Sequence, residues 1–280
     1  MKLIADIGAT KAAWTVLDGE GRAECFAPGV NFALVEDSAV ADALDDAMPE
    51  AIAGLSPEEV WVYAAGCGTP DKAEAIRSAL TARFPGATAH AHSDMLGAAR
   101  AVCGHSPGIA CILGTGSNAA LYSPDSGIVL STPPLGYILG DEGSAADLGK
   151  AAVNAAFKGL FEPRLAQRFL GDNALDKDWV INRVYTQPRP NVWLGSLAKW
   201  LSANIDEPQV QALVTGRFSE FLIRNVLTLP GARELPVGFA GSIAAAFSPQ
   251  LADAAQRLRI QVAKIVKSPA DGLAAYHSEN

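Results

Sequence analysis

The sequence contains no run of lysine and arginine. Its 22 basic residues are outnumbered by 30 acidic ones, for a net charge of −8. It therefore lacks the basic footprint that neutralises nucleic-acid phosphates, and nucleic acid is not an expected partner. No apolar stretch approaches the length of a membrane-spanning helix, so no membrane partner is expected either. The opening residues, MKLIADIGATK, reach Asp6 after a handful of apolar positions. That is too soon for a signal peptide, and a cytoplasmic location is the expectation. Cysteine is scarce: Cys25, Cys67, Cys103 and Cys111 form no C-x-x-C pair, and each lies in or beside an apolar segment. Free, buried thiols are expected of them, and no metal or redox work. Two common phosphate-binding fingerprints are missing as well. A P-loop needs G-x-x-x-x-G-K-[ST] opening a helix, and a Rossmann site needs G-x-G-x-x-G between strand and helix. Neither arrangement is found.

What is present fits a folded enzyme-sized chain. Apolar residues make up 49% of 280 positions and charged residues 19%, enough for one large domain or two medium ones with real cores. Strands are predicted over Lys2–Ile7, Ala12–Leu17 and Glu24–Ala27, with a tight turn at Asp18-Gly19. A helix is predicted over Ser38–Ile52, with Val40, Leu44, Met48 and Ile52 on one face. Strand, helix, strand and helix follow at Glu59–Ala64, Asp71–Phe84, Ala87–His92 and Asp94–Val102. The second half opens the same way, with short strands at Gly108–Leu113, Ala119–Tyr122 and Ile128–Ser131. A helical region from about Ser144 to Leu229 is followed by a strand at Pro236–Phe239, a helix at Ser242–Leu258, a strand at Ile260–Lys264 and a helix at Pro269–His277. The order βββαβαβα thus occurs twice, the second time with a helical insert, which argues for duplication. Strands alternating with helices argue for mainly parallel pairing with helices on both faces. With no low-complexity linker between the halves, a shared interface with a ligand cleft is expected.

Three glycine bends carry the functional signal. The first, IADIGATK, turns one strand into another: Gly8 lets backbone N–H groups approach an anion, Thr10 adds a hydroxyl, and Lys11 belongs beside the phosphates. Asp6, at the end of the strand before the bend, is a candidate ligand for hydrated Mg²⁺. The second bend, Gly114-Thr115-Gly116-Ser117-Asn118, offers more N–H and hydroxyl donors than a turn needs. Facing each other across the cleft, the two would grip a polyphosphate from both sides. The third, GFAGSIAAAF at Gly238–Phe247, follows a strand and opens a helix, and Gly241-Ser242 would let an adenine and its ribose pass the helix start.

This set of motifs resembles the superfamily of acetate and sugar kinases, heat-shock ATPases and actin, and within it the N-acetylglucosamine kinase and BadF/BadG-type ATPase branch. HSDMLGAARA at His92–Ala101 and LGYILGDEGSAADLG at Leu135–Gly149 resemble that branch strongly, and the similarity runs over essentially the whole chain. The resemblance implies two duplicated ribonuclease-H-like domains, each a mixed sheet, flanking a nucleotide cleft. These are expected at residues 1–105, completed by a C-terminal helix at 268–280, and at 106–267. It also implies ATP and Mg²⁺ as cofactors, an amino sugar as substrate and a dimerising branch, although no interface stripe stands out in the sequence.

The chemical groups read on two levels. Asp94 starts a helix, where it or Ser93 could simply cap the first turn. By resemblance Asp94 is the carboxylate that takes the proton from the attacking sugar hydroxyl. Ser144 and Asp147 have capping-box spacing, which leaves Asp141 and Glu142 exposed and without a task. In the functional account Asp141 accepts two hydrogen bonds from a sugar diol. Asn31 in GVNF joins it by resemblance, and Asn118 closes the second bend towards the same cleft. Where animal-type kinases of the branch carry Gly-Gly-Trp-Gly, this chain has Pro133-Pro134-Leu135-Gly136, which alters the wall beside the sugar. The expected reaction is phosphorylation of N-acetylglucosamine at its 6-hydroxyl. Two alternatives remain: an ATPase that activates a radical dehydratase, with Cys67 the cysteine of interest, and a non-catalytic sugar or nucleotide sensor.

Overall fold

The computed structural model describes residues 1–19 and 21–278. It divides into two compact units, one made of Met1–Ala110, Tyr122–Val129 and the segment from Ser268, the other of Cys111–Leu121 and Leu130–Lys267.

The first unit is built on β1 (Lys2–Ile7), β2 (Lys11–Asp18), β3 (Gly21–Pro28), α1 (Val40–Asp46), β4 (Glu59–Ala64), α2 (Pro70–Arg83), β5 (Thr88–Ser93) and α3 (Asp94–Cys103). The strands form a sheet of order β3-β2-β1-β4-β5. β1 pairs antiparallel with β2, and β2 with β3, whereas β1–β4 and β4–β5 are parallel. This is the mixed sheet that the resemblance implied, and only the mainly parallel pairing expected from strand–helix alternation is corrected, because the opening hairpins take half the ladders. Position 20, next to the turn expected at Asp18-Gly19, lies outside the described residues.

Alternation along β1 assigns the two faces. Leu3, Ala5 and Ile7 join Trp14, Val60, Val62, Leu44, Ile76 and Leu80 in one core with α1 and α2. Ile4 turns the other way, into a cluster with Tyr63, Ala101 and Leu273. Asp6 shares that second face, two residues after Ile4 and in register with Tyr63.

The second sheet and its helices are β6 (Gly108–Leu113), β7 (Ser117–Ser123), β8 (Gly127–Ser131), α4 (Gly136–Leu139), α5 (Ala145–Phe157), α6 (Pro163–Asp172), α7 (Lys177–Tyr185), α8 (Pro190–Ser196), α9 (Ala198–Ala203), α10 (Pro208–Phe221), β9 (Val237–Ala240), α11 (Ser242–Ala246), α12 (Ser248–Arg257) and β10 (Val262–Val266), with the unit boundary passing through β6, β7 and β8. The strand order of this sheet, β10-β9-β6-β7-β8, repeats that of the first sheet strand for strand. α10 runs into a single π-helical turn, Leu222–Val226. The last helix, α13 (Ala270–Ser278), belongs to the first unit, where Leu273 joins the core beside Ile4. Positions 279 and 280 of the expected terminal helix lie outside the described residues.

Three expected elements come out differently. The single helix over Ser38–Ile52 is a 3-10 turn, α1 and a second 3-10 turn. Pro49 stops the α-helix, because its ring excludes helical continuation and disfavours the helical region for the residue before it. The helix over Ser242–Leu258 is split at Phe247 into α11 and α12, with Pro249 in the first turn of the second. β10 lies two residues further on than expected, after Arg259 takes a positive φ of 56°.

Candidate active site

In the first unit the strand β1 delivers Asp6 to the start of a bend that Gly8 N–H closes by donating to the Lys11 carbonyl at 2.9 Å. Thr10 and Lys11 are exposed, and the Lys11 ammonium stands 3.7 Å above the Phe26 ring. The segment Gly29–Asn31 is laid against this bend so closely that a Cβ on Gly29 would come within 2.1 Å of the Gly8 carbonyl oxygen and 2.2 Å of the Lys11 nitrogen. Asn31 caps the 3-10 turn Phe32–Leu34, its side-chain oxygen accepting from the Ala33 N–H at 3.1 Å, which leaves its NH₂ to donate elsewhere.

β5 ends at Ser93, whose hydroxyl caps α3 by accepting from Leu96 N–H at 3.3 Å. Asp94 is therefore the first residue of α3 and not its cap, and its Oδ1 accepts from Met95 N–H at 2.9 Å. Burial pushes the Asp94 carboxyl up, against the pull of that N–H. Asp6 is pushed up to about 7, by burial first and by Asp94 next, with Lys11 pulling the other way. Cys67 is buried and its thiol raised to about 11, again by burial and then Asp94. Two carboxyls, an ammonium and a glycine bend are thus gathered at one end of this unit's sheet. The Asp6 carboxylate takes no hydrogen bond from any described residue. An undersupplied carboxylate repelled by a second one suits a hydrated divalent cation, which is held by one or two carboxylates plus phosphate oxygens.

In the second unit the bend after β6 is closed by Gly114 N–H donating to Gly116 O at 3.0 Å. Its carbonyls meet the start of α5: Ala145 N–H donates to Gly114 O at 2.9 Å and Ala146 N–H to Thr115 O at 3.3 Å. Gly241, with φ 135°, lies so near the end of β6 that a Cβ would fall 2.1 Å from Leu113 O. Two of the three glycine motifs are therefore neighbours, with Ser242 exposed at the start of α11. The Asn118 side-chain oxygen is used within the sheet, accepting from Ala119 N–H at 2.8 Å and the Ser131 hydroxyl at 3.4 Å.

The GDEGS segment departs from the plain capping account. Ser144 caps α5, accepting from Asp147 N–H at 3.2 Å, but Asp147 reaches back to Gly143 N–H at 3.0 Å, one residue short of the expected box. The Ser144 N–H donates instead to Asp141 O at 3.1 Å. Asp147 is 2% exposed and held by Arg217 through Nε at 2.7 Å and Nη2 at 3.1 Å. Neither Asp141 nor Glu142 stands free in solvent, as that account had it. Asp141 Oδ1 accepts from Ser117 N–H at 3.2 Å. Glu142 accepts from Asn225 Nδ2 at 3.1 Å, and its backbone oxygen accepts from the Ser117 hydroxyl at 2.8 Å. Sequence reasoning missed Gly29, Arg217 and Asn225. The turn chemistry of APGVN is a signal for Gly29, but Arg217 and Asn225 leave no local trace.

No protein-family model and no curated protein matches the chain. Among solved structures, a Porphyromonas gingivalis protein provisionally named an N-acetylglucosamine kinase is 37% identical over 100% of this chain and 99% of that one, with a TM-score of 0.92. The chain belongs to that N-acetylglucosamine kinase-like family. A second provisional N-acetylglucosamine kinase, from Chromobacterium violaceum, shares the family fold at 21% identity, covering 98% of each chain with a TM-score of 0.74. A ROK-family glucokinase from Streptomyces griseus, solved with glucose and AMPPNP, shares it more distantly, at 14% identity over 99% of this chain and 98% of that one and a TM-score of 0.55. The family fold is the two-domain actin-like sugar-kinase fold, and both mixed five-stranded sheets have their place in it. Among the described residues no helix is long and apolar enough to cross a membrane.

Proposed function

We propose that the protein is an ATP- and Mg²⁺-dependent sugar kinase that phosphorylates an amino sugar, with N-acetylglucosamine the first substrate to test. The observation that carries the reading is the carboxyl of Asp94, raised by burial at the start of α3 with Asp6 near enough to feel its charge. Such a carboxylate is a better proton acceptor than a solvated one, and phosphoryl transfer needs little more from the protein than a base, positioning and charge stabilisation. A sugar O–H gives its proton to Asp94, its oxygen forms the new bond to the γ-phosphorus of ATP, and the bond from that phosphorus to the β-phosphate oxygen breaks to release ADP. N–H groups of the two bends, with Thr10 and Lys11, would receive the phosphates, and Gly241-Ser242 the adenosine. Asp6 would hold Mg²⁺, which when bound neutralises charge on the phosphates.

The groups assigned to the sugar, Asn31, Asp94, Asn118 and Asp141, are amides and carboxylates. They match a neutral, hydroxyl-rich ring and repel an anionic one. The exocyclic primary hydroxyl is the least hindered nucleophile, so a 6-phosphate is the product, with glucosamine the next substrate and N-acetylmuramic acid the third. A coupled ADP-release assay over a sugar panel, with phosphorus NMR of the product, tests this. Phosphate on the anomeric oxygen would overturn the substrate assignment. Asp94→Asn should lower turnover by about 10²–10⁴-fold while ATP binding survives, and a fully active variant would remove Asp94 from the chemistry.

A further inference from the structure

Asp141 has two employers. The proposed function, on which the inference rests, assigns its carboxylate to sugar hydroxyls and assigns the bend Gly114–Ser117 to phosphate. In the fold that carboxylate lies on that bend. Its Oδ1 accepts from Ser117 N–H at 3.2 Å, and both carboxyl oxygens lie so near Gly116 that a Cβ there would meet them at 3.0 and 3.1 Å. Asp141 reaches this position from a left-handed backbone, φ 54°, which an aspartate tolerates better than most residues but still at a cost. An N–H has one proton to give. Ser117 N–H cannot make a full hydrogen bond to Asp141 and to a phosphate oxygen together, and two anions in contact over Gly116 repel each other.

The hold is weak enough to be exchanged. A carboxylate has about four acceptor sites, and among the described residues the one donor to the Asp141 carboxylate is Ser117 N–H, at 3.2 Å. Burial raises its carboxyl; the Ser117 N–H opposes that, and the nearby charges of Glu142 and Asp147 raise it further against the pull of Lys150. A sugar diol brings two O–H donors and no charge, so it satisfies the carboxylate better than Ser117 alone can.

We propose that Asp141 is the residue that makes the bend accept ATP only when a sugar is bound: without sugar it covers Ser117 N–H and sets a negative charge against Gly116, and a sugar diol draws it off. The sugar thereby competes with the bend for Asp141, and ATP competes with Asp141 for the bend. Linkage then requires that sugar tighten ATP and that ATP tighten sugar by the same factor. The same competition makes Asp141 a specificity device against water, which offers no diol and leaves the bend covered.

A purely bracing contact would behave in the opposite way, because removing a brace loosens the bend. The test is calorimetry of a non-hydrolysable ATP analogue with Mg²⁺, on full-length wild type, Asp141→Ala and Asp141→Asn, each with and without N-acetylglucosamine. Wild type should bind the analogue about tenfold more tightly with sugar than without, the scale of one charged hydrogen bond. Asp141→Ala without sugar should bind it about as tightly as wild type does with sugar, and added sugar should change nothing. Analogue binding that is unchanged or weakened in a natively folded Asp141→Ala protein overturns the inference. Should that variant fail to fold, Asp141→Asn decides: it keeps the acceptor and loses the charge, so tighter sugar-free binding supports the inference and unchanged binding overturns it. If wild type bound the analogue under neither condition, the kinase reading itself would fall. Normal binding in wild type with no gain in either variant would remove only the role given to Asp141.

Discussion

Ionising Asp6 works against folding. Its carboxyl rises from 3.8 to about 7 in the folded protein, with burial the largest cause and Asp94 the second. The fold therefore binds this proton more tightly than the unfolded chain does. The stabilisation is complete below the unfolded value and is lost as pH rises through about 7. Asp6→Asn should accordingly be more stable than wild type at alkaline pH, with a gap that grows between about pH 4 and 8 to at most about 4 kcal/mol. Denaturant melts across that range measure it, and a pH-independent gap would show that Asp6 ionises freely. Mg²⁺ favours the charged form, so adding it at alkaline pH should raise the melting temperature of wild type and not that of the variant. Gly29 is felt through backbone alone. Gly29→Ala would drive a methyl group into Gly8 O and Lys11 N, neither of which can swing aside. A loss of about 1–3 kcal/mol is expected, together with weaker binding of the ATP analogue. Gly68→Ala, where nothing stands within 4 Å, is the matching control.

Between elements, one ion pair ties α10 to the first turn of α5. Arg217 grips the buried Asp147 with two hydrogen bonds, and Asp147 in turn holds Gly143 N–H. Arg217→Met would leave that carboxylate only Lys150 Nζ at 3.5 Å as a cationic partner and should cost about 2–4 kcal/mol in urea unfolding. Replacing Asp147 with Asn in the same protein should recover part of the loss. The π-helical turn after α10 reaches the same segment from another side. Its Asn225 donates to Glu142, and its Asn225 carbonyl accepts from the Thr132 hydroxyl at 2.8 Å. These contacts explain what the sequence can and cannot reveal. β1, β4 and β6 are legible to the residue, because each is a short apolar run bounded by charge or glycine. The glycine bends are legible as motifs. The pairing of Asp141 with Ser117, and of Arg217 with Asp147, spans 24 and 70 positions, and no local pattern encodes such an approach. Pro49 and Pro249 are visible, but strong apolar periodicity on either side conceals the breaks they impose.

At the scale of the molecule, duplication is written in the strand order. Both sheets place their first strand centrally, two hairpin-connected strands to one side and two crossover strands to the other. The repeat is readable because three strands in quick succession announce each copy. The ownership of the last helix is a larger matter. α13 returns to the first unit, where Leu273 is fully buried and the His277 ring lies 2.8 Å from the Tyr63 hydroxyl. Gly272 packs so tightly that a Cβ would stand 2.3 Å from Ala101 O. Deleting the chain from Ser268 onward should expose the Ile4–Tyr63 face and cost at least the burial of Leu273, about 1.5–3 kcal/mol, which a thermal melt would register. A timetable on the ribosome is the consequence. The first unit is translated early, yet the helix that closes it is made only after the whole of the second unit. At about 5–20 residues per second the wait is roughly 10–30 s. Throughout that interval the nascent chain presents an open apolar face to whatever chaperone or protease is nearest. Nascent chains arrested behind a C-terminal linker long enough to fill the exit tunnel should show more protease resistance in their first hundred or so residues when they extend through His277 than when they stop before Ser268.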